Sequence, residues 1–556
     1  MSRAEKAGLF VSLLALWFVL AVVVALKGGF YFAKHEGDTL HLIQIVLRIA
    51  AGELPHVDFM TPIGIGSFVP MAWLVRAGTG AGNAILWGQM LVAAAMLPAL
   101  WWVGASRMRI GPALAFGAGG LLLIVALVHG ETVRNVSISM HYNRWAWAVA
   151  FVPLALVLLP IRAGDAGAGQ RAGGTTLRAP RGEGLLIGLC MAALALIKAT
   201  YFVAFAPAVL LGLGLRGQWR ALALALFSGA TVAAVLTVML GIGFWSAYLG
   251  DLLAVARSEV RPQPGLSLSQ IVLSPAYVLV TGVALACVVL LRRLENDPAG
   301  YILFVALPGF VYVTWQNFGN DPLWLFLLGL VMLSHRRDPG QGLRADRGRD
   351  GALVTAGTVA LVLVAAPALN IGYSPVRHLL QPTAPFSRLF GGETAHDDIH
   401  AVRVRAARVD GQIPLDLPGG GLEWFRRIAE RPEPTVLQGR TLRQCKLSSG
   451  LIAWLSAIAA DLEARGYGGR RVLSADLYGG VWLFGNLRPV SGSAPWYYGG
   501  APGIEAAEYL LVPACPVAPE VRHAFVQQIE AQKIGLAELV RTPLYTLYRV
   551  GGRVAE

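Results

Sequence analysis

Apolar residues run in long unbroken stretches over the first two thirds of the chain and thin out after position 369. A helix needs roughly 20 apolar residues to cross about 30 Å of hydrocarbon. Runs of that order occupy 8–26, 83–103, 111–129, 144–161, 184–198, 199–215, 220–242, 270–291, 299–316, 321–335 and 351–369. The segment 61–77 is also apolar, but it is short and holds Pro62, Gly64, Gly66 and Pro70, so it reads as a helix lying on the outer interface. The pair 184–198 and 199–215 is too long for one span, and Lys198 between them suits a close turn at the water boundary. Beyond 370 the pattern alternates as in a small α/β unit. Strands are expected at 435–437, 471–474, 509–512 and 544–549, and helices at 421–430, 451–465 and 519–533. The expected fold is a polytopic α-helical membrane protein with about eleven transmembrane helices plus interfacial helices over residues 1–369. A C-terminal extracytoplasmic α/β domain follows, residues 370–556.

Composition agrees with that class. The 556 residues are 55% hydrophobic and only 14% charged, whereas a soluble domain carries about 25%; the number of expected spans excludes a soluble hydrolase. The net charge of +13 sits in short arginine clusters between apolar runs rather than in one basic face, which argues against nucleic acid as a partner. With 61–77 on the outer surface, Arg107/Arg109, Arg162 to Arg181, Arg216/Arg220, Arg292/Arg293 and Arg336 to Arg349 all fall on the cytoplasmic side. About 17 Lys and Arg then lie inside against about 9 outside, the positive-inside bias. The first run follows Arg3 and Lys6, is long for a signal peptide and lacks a small-x-small cleavage site, so it reads as an uncleaved anchor in a bacterial inner membrane. The N-terminus is then cytoplasmic and the C-terminal domain periplasmic. Cys190 and Cys287 lie in apolar runs, while Cys445 and Cys515 fall in the oxidising compartment, where a disulfide is open to them.

Polar residues concentrate in the outer loops. The first contains Lys34-His35-Glu36-Gly37-Asp38-Thr39-Leu40-His41. Two carboxylates two residues apart can hold a divalent cation, or one can act as base while the other orients it. Alternatively Asp38 is the N-cap of a helix over 39–51; His35 and His41 read as solvated loop residues, or one of them as an added nitrogen ligand. The second loop gathers Glu131, Arg134, His141, Tyr142, Asn143 and Arg144. Lys198 at a span end needs an anionic partner if it stays charged, and a polyprenyl phosphate supplies one. Arg257 and Arg261 are suited to phosphate by bidentate geometry or to lipid headgroups by snorkelling, with Pro262 disturbing helical geometry at Arg261. Asn317 and Asn320, between Trp315 and Trp324, are fit to meet sugar hydroxyls or to belong to an interfacial aromatic belt. The aromatic stretch from Trp482 to Tyr498 reads as an acceptor-facing loop or as the seam between soluble domain and membrane.

The succession Glu36-Gly37-Asp38, an interfacial helix through 45–50, Gly52-Glu53-Leu54-Pro55-His56-Val57-Asp58-Phe59 and Thr61-Pro62 resembles the first outer loop of the GT-C glycosyltransferases. These are the membrane enzymes related to protein O-mannosyltransferases and lipid A aminoarabinose transferases. The glycine-rich run from Gly184 to Lys198 and the Pro207-containing span extend the resemblance over residues 1–240. It implies a GT-C-like fold that moves a sugar from a polyprenyl-phosphate donor, within membrane lipid, to an envelope glycan, lipid or protein acceptor. It also implies inversion at the anomeric carbon and leaves room for Mg²⁺ or Mn²⁺. On that reading Asp38 or Glu36 is the base and either acid is a metal ligand. Lys198, Arg257 and Arg261 meet the donor phosphate, Glu131 is the second acid, Asp58 anchors the interfacial helix or contacts substrate, and His141, Asn143, Arg144, Asn317 and Asn320 are substrate contacts. The family's usual Asp-Glu pair appears as His35-Glu36, with Asp38 two places later, which leaves the identity of the base open. Two other classes remain: a transporter or flippase of lipid-linked saccharide, although no paired inverted halves are visible, and a non-catalytic scaffold with a periplasmic binding domain.

Overall fold

The computed structural model describes residues 1–129, 133–162, 181–260, 267, 269–270, 273, 275–294, 297–316, 321–336, 346–391, 394–414, 421–424 and 433–553. Helix α1 (Arg3–Lys27) begins on a capping box, in which Ser2 Oγ accepts from Glu5 N at 3.1 Å and Glu5 Oε2 accepts from Ser2 N at 2.6 Å. It ends at Gly28, whose φ of 71° closes the helix in the left-handed region. There follow α2 (Glu36–Ala50), α3 (Val69–Arg76), α4 (Ala81–Arg107), α5 (Ile110–Val125), α6 (His141–Leu158), α7 (Arg181–Ile197) and α8 (Ala199–Leu215). Then come α9 (Trp219–Leu240), α10 (Gly243–Ala256), α11 (Pro275–Arg292), α12 (Ala299–Gln316), α13 (Trp324–Ser334), α14 (Asp346–Leu363) and α15 (Ala365–Leu380).

Four of these, α1, α4, α9 and α12, are long and apolar enough to cross a membrane. The segments 348–363 and 365–380, bent by 57°, make a fifth if they are one broken span. Helices α5, α7, α8, α11 and α13 are apolar but shorter. Helix α3 has 8 residues, about 12 Å of rise, too short to cross. The break between α7 and α8 falls on Lys198, whose backbone is extended at φ −153° and ψ 102°. Helix α7 packs on α9 through Gly184 and Gly188; a Cβ on Gly188 would stand 2.1 Å from Ala225 O, so small residues let the two backbones touch. The expected boundary at 369/370 falls within α15.

Polar contacts between helix ends gather at two opposite ends of the bundle. At one end Arg107 pairs with Glu183 and donates to Leu159 O at 3.0 Å, and Arg109 donates to Arg336 O at 2.8 Å. There too Arg216 donates to Val157 O at 2.8 Å and pairs with Asp297 at 3.0 Å, while Trp101 Nε1 donates to Lys6 O at 2.9 Å. At the other end Lys27 donates to Gln381 O at 2.7 Å. The Asp398 carboxylate there accepts from Gly82 N at 3.0 Å and Asn83 N at 2.7 Å, capping α4 from outside its own sequence.

Sheet structure belongs to the C-terminal part with one exception. Strand β1 (Phe30–Phe32), just after α1, lies parallel to β3 (Ile399–Val402), and β2 (Phe386–Arg388) completes that sheet antiparallel to β3. Short pairs join β4 (Asp410–Gln412) to β7 (Lys446–Ser449) and β5 (Val436–Leu437) to β6 (Arg440–Thr441). Between β3 and β4 lies the short helix α16 (Arg403–Ala407). The main sheet runs β10-β11-β9-β8, with β8 (Val472–Ser474) parallel to β9 (Tyr509–Pro513) and β10 (Ile534–Arg541) and β11 (Tyr545–Arg553) antiparallel. Helices α17 (Leu451–Ala464) and α18 (Pro519–Ala531) fall where expected. Helix α18 packs Val521, Phe525 and Ile529 into a second core with Leu510 and Tyr497. Strands β1 to β4, β6, β7 and β10 have no counterpart among the expected strands, and the helix expected at 421–430 lies largely outside the described residues. Cys445 and Cys515 form a disulfide with Cα atoms 4.7 Å apart.

Candidate functional site

The first acidic loop is shaped by one left-handed residue. His35, at φ 62°, turns the chain out of β1 and into α2, and its carbonyl accepts from Thr39 N at 3.0 Å. The helix therefore starts at Glu36, so Asp38 stands inside the first turn rather than at the N-cap. Both acids lie where the helix dipole favours negative charge. Two positions apart on a helix, their side chains leave about 200° apart, and they find different partners. Glu36 Oε1 accepts from Arg405 Nε, on α16, at 2.8 Å, and Asp38 Oδ2 accepts from Ser139 Oγ at 2.6 Å. Both acids nonetheless line one cleft, where a divalent ion held through one or two carboxylates would take its remaining oxygens from water or substrate. Among the described residues no three His, Cys, Asp or Glu side chains stand together for an ion.

The start of α6 joins that loop to Lys198. Ser139, two residues before the helix, holds Asp38. Four residues on, Asn143 Oδ1 accepts from Lys198 Nζ at 2.7 Å. The ammonium also lies 5.3 Å from the centre of the Tyr142 ring and 5.9 Å from that of Tyr201. Ser139 precedes the left-handed Met140 that caps α6 and Asn143 lies in the first turn, so the acid and the lysine, 160 positions apart in sequence, each bond to the same end of one helix. The glycines of 64–67 bring the 61–77 segment to the same place: Gly64 N donates to Ile197 O at 3.1 Å, and a Cβ on Gly64 would lie 2.0 Å from Leu196 O.

Several expected substrate contacts have other occupations. Arg144 is 1% exposed, and its guanidinium donates to the carbonyls of Val128, Ser139 and Ala126. Ala126 and Val128 leave α5 and Ser139 leads into α6, so Arg144 ties together the two ends of the connection between those helices. His141 is buried and donates from Nε2 to Ser67 O at 3.0 Å. Asp58 closes its own turn, accepting from Leu54 N at 2.6 Å, in keeping with the anchoring role. Arg257 is exposed at the C-terminus of α10. Glu131, Arg261, Asn317 and Asn320 lie outside the described residues. Trp324 is a core residue, stacked on Phe310 with ring centres 4.9 Å apart.

Residues that sequence reasoning passed over complete the geometry. Asp251 on α10 accepts from His56 Nδ1 and Thr61 N, each at 2.9 Å, pinning the loop after α2. The C-terminal region roofs the acids, enclosing a cleft of about 210 Å³ lined by His35, Glu36, Gly37, Asp38, Arg405, Ser448, Ser449 and Tyr478. Tyr478 sits so close over the helix that a Cβ on Gly37 would lie 2.1 Å from its hydroxyl. Its ring meets Trp496 edge-on at 4.9 Å, and Trp496 meets His41 at 5.6 Å, which packs this part of the 482–498 stretch on α2. Behind the roof, Leu447 N donates to Pro516 O at 2.8 Å beside the disulfide. The Asp476 carboxylate there accepts from Leu477 N at 2.7 Å, Val517 N at 2.8 Å and Ala518 N at 3.2 Å. Burial pushes this carboxyl up to about 6, against those hydrogen bonds. Arg405 and Tyr478 have one readable signal, their place in a domain expected on the same side as the acids.

A scan of protein-family models finds no match to the chain, and a search of curated proteins finds no relative at a significant level.

Proposed function

We propose that the chain is a membrane glycosyltransferase that moves a sugar from a polyprenyl-phosphate carrier to an envelope acceptor on the periplasmic side. The observation that carries this reading is that Asp38 and Lys198 are both held at the start of α6, one by Ser139 and the other by Asn143. A base and a fixed cation at one boundary are what displacement at an anomeric carbon requires. Asp38 takes the proton of the acceptor hydroxyl or amine; Glu36, engaged with Arg405, holds the roof over the cleft. Lys198 stabilises the departing phosphate, where charge develops as the glycosidic bond breaks. Attack from the face opposite the phosphate gives inversion.

Two further features support a lipid carrier and this orientation. An apolar groove of about 410 Å³ runs between α7, α8 and α9, and Ala195 and Leu196, next to Lys198, line it. Arg107, Arg109 and Arg216 gather at the bundle end away from Asp38. On this reading the chain crosses about eleven times, with the shorter apolar helices spanning a locally thinned or tilted boundary.

The test compares envelope lipids and polysaccharides, by mass spectrometry, from cells lacking the gene and from cells complemented with wild type, Asp38→Asn or Lys198→Met. One sugar should be absent without the gene and return only with wild type, the Asp38 variant losing about 10²–10⁴ in rate. Full return of that sugar with the double variant Glu36→Gln, Asp38→Asn would end the proposal.

A further inference from the structure

We propose that Tyr248, on α10, is a positioning residue for Lys198: its hydroxyl fixes the one-residue turn that carries the lysine. The inference rests on the reading of Lys198 as the cation that meets the donor phosphate. Glu183, near the start of α7, and Arg216, just after α8, both join the polar contacts at the bundle end away from Asp38, so Lys198 is the tip of a hairpin. In an unbroken helix the N–H of Ala199 would donate to Ala195 O, four residues back. The extended backbone of Lys198, at φ −153° and ψ 102°, breaks that ladder, and the last carbonyls of α7 need donors from elsewhere. The Tyr248 hydroxyl donates to Ala195 O at 2.8 Å, and the Ala199 N–H interacts with the hydroxyl oxygen. Gly64 N and Ser67 Oγ serve Ile197 O, at 3.1 Å and 3.0 Å.

The ring that carries this hydroxyl is itself held. Tyr248 is 6% exposed, its ring centre lies 4.4 Å from that of His56, and Phe244, one turn earlier, is 1% exposed. Asp251, three residues further along α10, accepts from His56 Nδ1 and Thr61 N. Thr61 begins the segment that holds Gly64 and Ser67. The turn at Lys198 is therefore clasped by α10 and by 61–67, and these two are bonded to each other. A buried tyrosine needs a partner for its hydroxyl, and Asp251 with Phe244 already anchors α10. This hydroxyl instead meets a carbonyl of the turn itself, three residues before the lysine. Without it the Lys198 backbone is free to leave the extended region, and the ammonium no longer stays on Asn143 Oδ1, 2.7 Å away.

The test needs no sugar substrate. Full-length protein in lipid nanodiscs is treated with acetic anhydride, and acylation of Lys198 is followed by peptide mass spectrometry, with the exposed Lys446 as internal control. Tyr248→Phe keeps the ring and removes only the hydroxyl. It should raise the rate at Lys198 about threefold to tenfold, the shift that one hydrogen bond of ordinary strength gives. Adding Ala199→Pro should bring the rate back close to that of wild type, because proline holds the residue before it in the extended region and suits the first position of a helix. Packing lost around α10 would not be repaired from position 199. Hydrogen exchange on the same samples should rise over 194–201 in Tyr248→Phe and stay unchanged over α10. The inference is overturned if Tyr248→Phe leaves Lys198 acylation unchanged, if exchange rises equally along α10, or if the folded proline variant fails to restore the rate. An unresponsive Lys198 in Tyr248→Phe, beside a sugar lost in Lys198→Met, removes this inference alone. The labelling results as expected, beside an intact sugar in Lys198→Met, remove the transferase reading alone.

Discussion

Gly37 shows how a single atom can decide the geometry of the cleft. Alanine in place of glycine favours a helix by about 1 kcal/mol, so composition alone would make Gly37→Ala stabilising. The added Cβ, however, would lie 2.1 Å from the Tyr478 hydroxyl, 2.2 Å from Cζ and 2.9 Å from Cε1, and the ring is backed by Trp496. The whole ring must move, and overpacking of this kind costs about 1–3 kcal/mol. Gly37→Ala should therefore lower sugar transfer severalfold with little change in thermal stability, and adding Tyr478→Ala should recover part of the loss. Product measurement and thermal unfolding on the three variants check this; unaltered transfer in Gly37→Ala would show that Tyr478 does not shape the cleft. The same scale explains which site residues were legible. Lys198 and Asp38 stand out because a charge beside an apolar run needs a reason. Arg144 stands out equally but is satisfied by three carbonyls, and a sequence cannot distinguish a carbonyl partner from a phosphate. Ser139 carries no signal, since nothing local marks a serine that will meet an acid from another helix.

At the level of elements, three segments support the roof: β7, the turn at 476–478 and the turn at 515–518, joined by the disulfide, by Leu447 N to Pro516 O and by Asp476. Asp476 gives this junction a pH dependence of definite sign. Its carboxyl is raised to about 6 in the folded protein, above about 3.9 in an unfolded chain, so the folded state holds the extra proton between those values. The stability it contributes is full below about pH 4 and is lost as pH rises through about 6, at up to about 1.4 kcal/mol per unit. The gap in unfolding temperature between wild type and Asp476→Asn should accordingly narrow from pH 4.5 to pH 7 in detergent-solubilised protein. A constant gap would contradict the assignment. Elements were legible where length and apolarity carried them. Most helices of the first two thirds follow their runs, as does the break at Lys198, whereas the run 351–369 is divided between α14 and α15 by the bend at Val364. Strand β10 escapes because it is an edge strand, partly exposed along much of its length and without clean alternation. Strands β1 and β3, three and four residues long, pair Phe30 with Ile399, a register that nothing local can announce.

For the whole molecule, a single site requires that the right helix ends share a side. Lys27, Asp38, Lys198 and Asp398 belong to one end of the bundle, and Lys6, Arg107, Arg216 and Arg336 to the other. That sorting was legible as a charge pattern, because arginine clusters alternate with polar loops at the spacing of the apolar runs. The joining of β1 to β3, which ties the loop before the acids to the C-terminal region, was not. Single cysteines at Lys34 and Ala199, next to the proposed base and cation, and at Gly217, at the opposite end, measure the arrangement directly. Intact cells would be treated with a membrane-impermeant maleimide before and after permeabilisation. Lys34→Cys and Ala199→Cys should label from outside and Gly217→Cys only after permeabilisation. Labelling of positions 34 and 199 from opposite sides of the membrane would contradict a single periplasmic site.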